Sequence, residues 1–76
     1  MASDKDQVVK LIGKQIRKLR ISNHLTLESL AFKADMDYTQ LSRIELGKIN
    51  TSVFQLYKIA SALNIPIQEL FDDIHR

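Results

Sequence analysis

Cysteine is missing from this chain of 76 residues. That absence excludes disulfides, thiolate catalysis and cysteine-ligated zinc. Glycine occurs twice and proline once, and no glycine-rich phosphate loop is present. No apolar run approaches membrane-spanning length, and the N-terminal MASDKDQ is polar, unlike a signal peptide. The two histidines, His24 and His75, are distant in sequence, and no carboxylates share a helix face with either. The pattern therefore offers no catalytic constellation, metal site or cofactor site. Asp72 and Asp73 read most simply as a polar C-terminal segment. No strand signal, internal repeat, low-complexity stretch or interdomain linker is seen. A cytoplasmic, non-enzymatic protein without a small-molecule ligand is expected.

What is present is a globular composition, 45% apolar and 26% charged. Residues 1–76 are expected to form one domain, near the low end for independent folding, so dimerisation would help. The formal net charge is only +2, but it is unevenly placed. Residues 10–48 hold eight Lys/Arg (Lys10, Lys14, Arg17, Lys18, Arg20, Lys33, Arg43, Lys48) against the acids Glu28, Asp35, Asp37 and Glu45. Both flanking segments are net negative by one charge. Such asymmetry suits a polyanionic partner for the basic part, although a solvated helix face would also explain it.

Apolar spacing predicts an all-α bundle of five helices, at about 7–22, 27–34, 38–46, 52–63 and 67–73. Val8, Val9, Leu11, Ile12, Ile16 and Leu19 face inward on the first, and Asn23-His24 ends it, with Asn tolerating a left-handed cap. Thr26 caps the second helix, which buries Leu27, Leu30 and Ala31. Asp37 caps the third, with Gln40 reaching back as in a capping box. Leu41 and Ile44 form its inner face, and Gly47 closes it. Ser52 and Gln55 make a second capping box before Val53, Leu56, Ile59, Ala60 and Leu63. Asn64 ends this helix, and Pro66 suits the start of the last, with Ile67, Leu70, Phe71 and Ile74 apolar. The second and third helices are short and joined by only Asp35-Met36-Asp37. Helices so joined must cross steeply, the helix-turn-helix arrangement, which can place its second helix in the major groove of DNA.

The most specific pieces are Ile16-Arg17-Lys18-Leu19-Arg20, Leu25-Thr26 before Glu28-Ser29-Leu30-Ala31, and Leu41-Ser42-Arg43-Ile44-Glu45-Leu46-Gly47-Lys48. Ile59-Ala60-Ser61-Ala62-Leu63-Asn64-Ile65 and Glu69-Leu70-Phe71 complete the set. In this order and spacing the chain resembles the Xre family, the Cro and CI-repressor type of helix-turn-helix DNA-binding domain, from about Leu11 to Phe71. In size it is similar both to small restriction–modification controllers and to minimal phage-like repressors, and an antitoxin-type autorepressor is a further subtype. The resemblance implies a bacterial or phage transcription regulator that binds a palindromic double-stranded operator as a homodimer. It also implies base contacts from Tyr38, Thr39, Gln40, Ser42 and Arg43, with Gln40 shared between DNA and the cap at Asp37. Chemically the set is apt: Arg bridges O6 and N7 of guanine, and Gln pairs with adenine.

Phosphate contacts are expected from Thr26 and Leu27, whose N–H groups open a helix, and from Lys48, Asn50, Thr51 and Ser52 in the following loop. Arg17 and Lys14 are outer contacts, with solvated charge the alternative for each lysine. The resemblance pairs Arg20 with Glu45 in a partly buried ion pair; a phosphate contact is the alternative for Arg20. Two positions depart from the family. Leu27 stands where Gln usually touches phosphate, and His24 stands where Gly is frequent. The first departure favours an alternative function on the same fold, a protein-interaction module. Ile65, Ile67, Leu70, Phe71 and Ile74 exceed what one short helix buries; completing the monomer core is the alternative, served in part by Leu70 and Phe71, and Ile65, Ile67, Phe71 and Ile74 are expected to form the dimer interface with Tyr57.

Overall fold

A computed structural model describes residues 4–72 and 74. Among them are four α-helices and no strand: α1 (Lys5–Ser22), α2 (Leu27–Lys33), α3 (Tyr38–Glu45) and α4 (Val53–Leu63). A 3-10 turn, Ile67–Phe71, follows α4. It replaces the expected fifth α-helix. The i, i+3 spacing of Ile67 and Leu70 fits either helix type, and five residues are too few for a stable α-ladder. The Glu69 carbonyl moreover accepts from the Asp72 N–H at 3.4 Å and from Gln15 Nε2 at 2.9 Å.

Each of the five elements sends one aliphatic side chain into a common centre. Ile16, Leu30, Leu41, Ile59 and Leu70 are all 0% exposed. Each such side chain contributes about 1.5–3 kcal/mol of burial free energy. Ala31, Ala34, Ile44, Leu56, Ala60 and Leu63 complete this core. No aromatic side chain belongs to it: Phe32, Tyr38, Phe54, Tyr57 and Phe71 all stand exposed. Val53, expected inside, is 73% exposed, because the first residue of α4 lies one turn outside the layer filled by Leu56. Ile65 and Ile67 pack half-buried against the core.

All four α-helices end in one device. The chain turns through a left-handed residue: His24 (φ 58°), Asp35 (φ 53°), Gly47 (φ 72°) and Asn64 (φ 61°). The N–H of that residue bonds a carbonyl three back, and the next N–H bonds a carbonyl five back, as in Leu25→Arg20, Met36→Ala31, Lys48→Arg43 and Ile65→Ala60 at 2.9–3.1 Å. This is the Schellman closure, which satisfies carbonyls that the helix leaves open. It corrects the expectation for α1: Asn23 has φ −93°, and His24 takes the left-handed position.

The N-termini are capped less uniformly. Thr26 Oγ1 accepts from Ser29 N–H at 3.0 Å, and Ser52 Oγ accepts from Gln55 N–H at 3.1 Å. Asp37 makes no side-chain capping bond, so the expected box with Gln40 is not formed. Among the described residues the Gln55 side-chain carbonyl is buried without a partner, so the Ser52–Gln55 box is only half made. Asp4 caps α1 instead, its Oδ1 accepting from Gln7 N–H at 2.8 Å, and α1 therefore begins earlier than expected.

Candidate nucleic-acid interface

The pair α2–α3 is set at its angle by the closure at Asp35, which turns the chain within four residues. Lys58 of α4 braces that corner. Its Nζ donates to the Asp35 carbonyl at 2.7 Å and lies 5.6 Å from the centre of the Phe54 ring. On α3, Leu41, Ile44 and Glu45 are buried. The opposite side carries Thr39 and Arg43, both exposed, with Ser42 half-buried beside them. Tyr38 is half exposed at the first turn, and Gln40 is half-buried on the other flank.

Two contacts fix α3 against α1. Gly13 lies where an added Cβ would stand 2.3 Å from the Ile44 carbonyl oxygen and 2.7 Å from that of Glu45. Only glycine permits helices to approach this closely. Beyond it, Arg20 grips Glu45 with two nitrogens: Nε to Oε2 at 2.7 Å and Nη2 to Oε1 at 3.1 Å. Nη1 donates to the Leu25 carbonyl at 2.9 Å. One guanidinium thus joins α1, the loop before α2 and the last turn of α3. The planar fork of arginine makes this possible, and lysine could not reproduce it. The side chains are 13% and 6% exposed, so water screens the pair little.

Arg20–Glu45 is the only salt bridge among the described residues. Arg17, Lys14, Arg43 and Lys48 are exposed, and none is paired with a carboxylate among the described residues. Ser42 shares a cleft of about 160 Å³ with Arg17, Arg20, Leu27, Glu45 and Leu46. Of the expected site residues, Ser42, Arg17 and Leu27 are thereby brought together beside the Arg20–Glu45 pair. Thr26 and Ser52 spend their hydroxyls as helix caps, which leaves backbone N–H groups for an anion. In the loop after α3, Lys48 and Asn50 are exposed, while Thr51 is half-buried over a small apolar cavity lined by Val9, Ile12, Ile44, Ile49 and Leu56.

The residues expected at a dimer interface lie on another side. Tyr57, Ile65 and Ile67 line an open groove of about 440 Å³ with Ala60, Ser61, Asn64 and Pro66. Phe71 is 37% exposed and Ile74 is half-buried. Several positions escaped the sequence reading. Gly13 and Gln15 sit in a helix where neither glycine nor a buried amide leaves a periodic signal. Leu46 looked like a helix end, although it continues the exposed side of α3.

A trihelical α1–α2–α3 unit with a pinned, polar-faced third helix defines the helix-turn-helix class. The helix-turn-helix family pattern matches residues 16–70, and the chain belongs to this family of Xre-type DNA-binding transcription regulators. Control protein C.MunI from Mycoplasma sp. is 43% identical over 65 residues, which cover 84% of this chain and 88% of that protein. Control protein C.BamHI from Bacillus amyloliquefaciens is 36% identical over 63 residues, covering 82% and 78%. Among solved structures, the restriction–modification controller protein C.AhdI from Aeromonas hydrophila superposes with a TM-score of 0.82 at 35% identity, covering 83% of this chain and 96% of that one. Among the described residues no helix is long and apolar enough to cross a membrane.

Proposed function

We propose that this protein binds a palindromic DNA operator as a homodimer, with α3 in the major groove, and so controls transcription of a restriction–modification system. The observation that carries the reading is the immobilised third helix. Its inner side is locked by Leu41, Ile44 and the Arg20–Glu45 pair, while Thr39, Ser42 and Arg43 face outward. Arg43 bridges O6 and N7 of guanine, and Thr39 meets a thymine methyl or a phosphate. Arg17, Lys48 and Asn50 hold the sugar-phosphate backbone on either side of the groove. The kinship with control proteins favours the restriction–modification role over a phage-like repressor or an antitoxin.

Dimerisation supports the palindrome geometrically. One chain carries one α3, whereas two half-sites lie about 34 Å apart along the duplex. The groove at Tyr57, Ile65 and Ile67 is a partly apolar surface clear of the residues assigned to DNA. Regulation is then by concentration, through dimerisation and operator filling, with no enzymatic step. The test is selection of bound sites from a random duplex pool, followed by a salt titration on the selected site. A palindrome whose affinity falls steeply with salt supports the reading. Failure to enrich any motif, with affinity indifferent to salt, would leave the protein-interaction module as the function.

A further inference from the structure

The outward stripe of α3 does not stop at Arg43. Thr39, Ser42, Arg43 and Leu46 recur at i, i+3, i+4 and i+7, the spacing of one helix face. Leu46 is 55% exposed, so it does not serve the core. Nor does it serve the helix closure, whose apolar position is filled here by Lys48. Leu27, the first residue of α2, lines the same cleft. The two leucines share this lining with Ser42 and Arg17. Arg20 and Glu45 also line the cleft but cancel each other. What remains is an apolar part, Leu27 and Leu46, in a cleft of about 160 Å³ on a helix otherwise built for polar contacts.

The Leu46 side chain itself offers phosphate nothing, because charged oxygens lose hydration against leucine; the phosphate contacts expected near this cleft fall to Arg17 and to the N–H groups that open α2. Only one apolar group projects into the major groove of a duplex, the 5-methyl of thymine. We infer that Leu46, backed by Leu27, is a specificity-determining residue that receives the 5-methyl group of an operator thymine. The inference rests on the DNA-reading role proposed above. Arg17 takes the phosphate beside that nucleotide, and Ser42 is placed to bond the base edge. Deoxyribose carbons are the other apolar surface within reach, but they are the same at every nucleotide and give no preference among bases.

The experiment starts from the operator obtained by random-pool selection. Each thymine is replaced in turn by deoxyuridine, which deletes the methyl and keeps the pairing. At one thymine per half-site the wild type should lose about four-fold in affinity, the factor corresponding to one buried methyl group. Leu46→Ala should bind the thymine and uracil operators equally, while Arg43→Ala keeps the discrimination. Thermal melting of Leu46→Ala should match the wild type, since Leu46 is exposed. Indifference of the wild type to every substitution overturns the inference and leaves DNA reading intact. So does discrimination that survives in Leu46→Ala, or a loss in that variant that is equal at every thymine, as sugar contact would give. A selection that returns no motif overturns the DNA reading itself.

Discussion

Arg20 holds Glu45 in a two-pronged ion pair while its third nitrogen bonds the carbonyl of Leu25. The two residues are therefore not equivalent. Removing Glu45 leaves Arg20 with the Leu25 carbonyl; removing Arg20 leaves a carboxylate 6% exposed with no other ion-pair partner among the described residues. An uncompensated buried charge is the costlier defect.

Arg20→Ala should accordingly destabilise the fold by about 3 kcal/mol or more, and Glu45→Gln by clearly less. Both should weaken DNA binding, although Glu45 is an acid that repels phosphate, because α3 loses its orientation. A double-mutant cycle should show coupling of roughly 0.5–3 kcal/mol in chemical denaturation. Additive effects would mean that the pair does not hold α3.

Gly13 provides a test of the α1–α3 approach. In an exposed helix, Gly→Ala gains about 1 kcal/mol from propensity. Here the new methyl would meet two backbone carbonyls of α3, at 2.3 and 2.7 Å, and backbone cannot rotate away as a side chain can. Gly13→Ala should lower the melting temperature, with a loss of about 1–3 kcal/mol. A higher melting temperature would show that the helices are not held this close.

The left-handed residues give predictions of opposite sign. Gly47 combines φ 72° with a Cβ position 2.6 Å from Lys10 Cγ, so Gly47→Ala should destabilise by about 1–2 kcal/mol. His24 has φ 58° and is exposed, so His24→Gly should be neutral or stabilising by up to about 1 kcal/mol. Denaturant midpoints of the two variants moving in the same direction would contradict this account of the helix ends.

How much of this was legible in the sequence follows from what each feature writes there. Ile16, Leu30, Leu41, Ile59 and Leu70 each stand in an apolar pattern of helical spacing, so the core was readable in the sequence. Serine and threonine caps were readable because their position relative to the apolar run is fixed. Asp37 was not, since aspartate at a helix start signals a cap whether or not its oxygen makes the bond. The last segment misled because 3-10 and α-helices share the i, i+3 spacing of Ile67 and Leu70. Leu46 was hidden by its neighbour: beside Gly47 it looks like a terminus, and only accessibility shows that its side chain continues the outward face of α3.

At the reading helix, Arg43→Ala should weaken binding to the selected operator by about 1–3 kcal/mol and binding to random duplex much less. Arg43 is exposed and packs in no core, so its removal should leave stability within about 0.5 kcal/mol. Equal losses on specific and random DNA, measured at one salt concentration, would move Arg43 from the bases to the phosphates.

Assembly is best tested away from the core. Ile67 lines the groove proposed for dimerisation, but it also packs half-buried against the monomer, so a charge there would unfold as readily as dissociate. Tyr57 lines the same groove and is 57% exposed, with its ring 6.4 Å from that of Phe54 on the outside of α4. Tyr57→Asp removes an aromatic anchor and places a carboxylate where a second copy would bury it, a change that costs several kcal/mol in an interface and little on a free surface. The variant should sediment as a monomer, keep its helical circular dichroism, and bind a single half-site weakly in place of the full palindrome. If it remains dimeric, the interface lies elsewhere on the chain. If the wild type is itself monomeric at high micromolar concentration and binds no palindrome, the two-fold arrangement fails altogether.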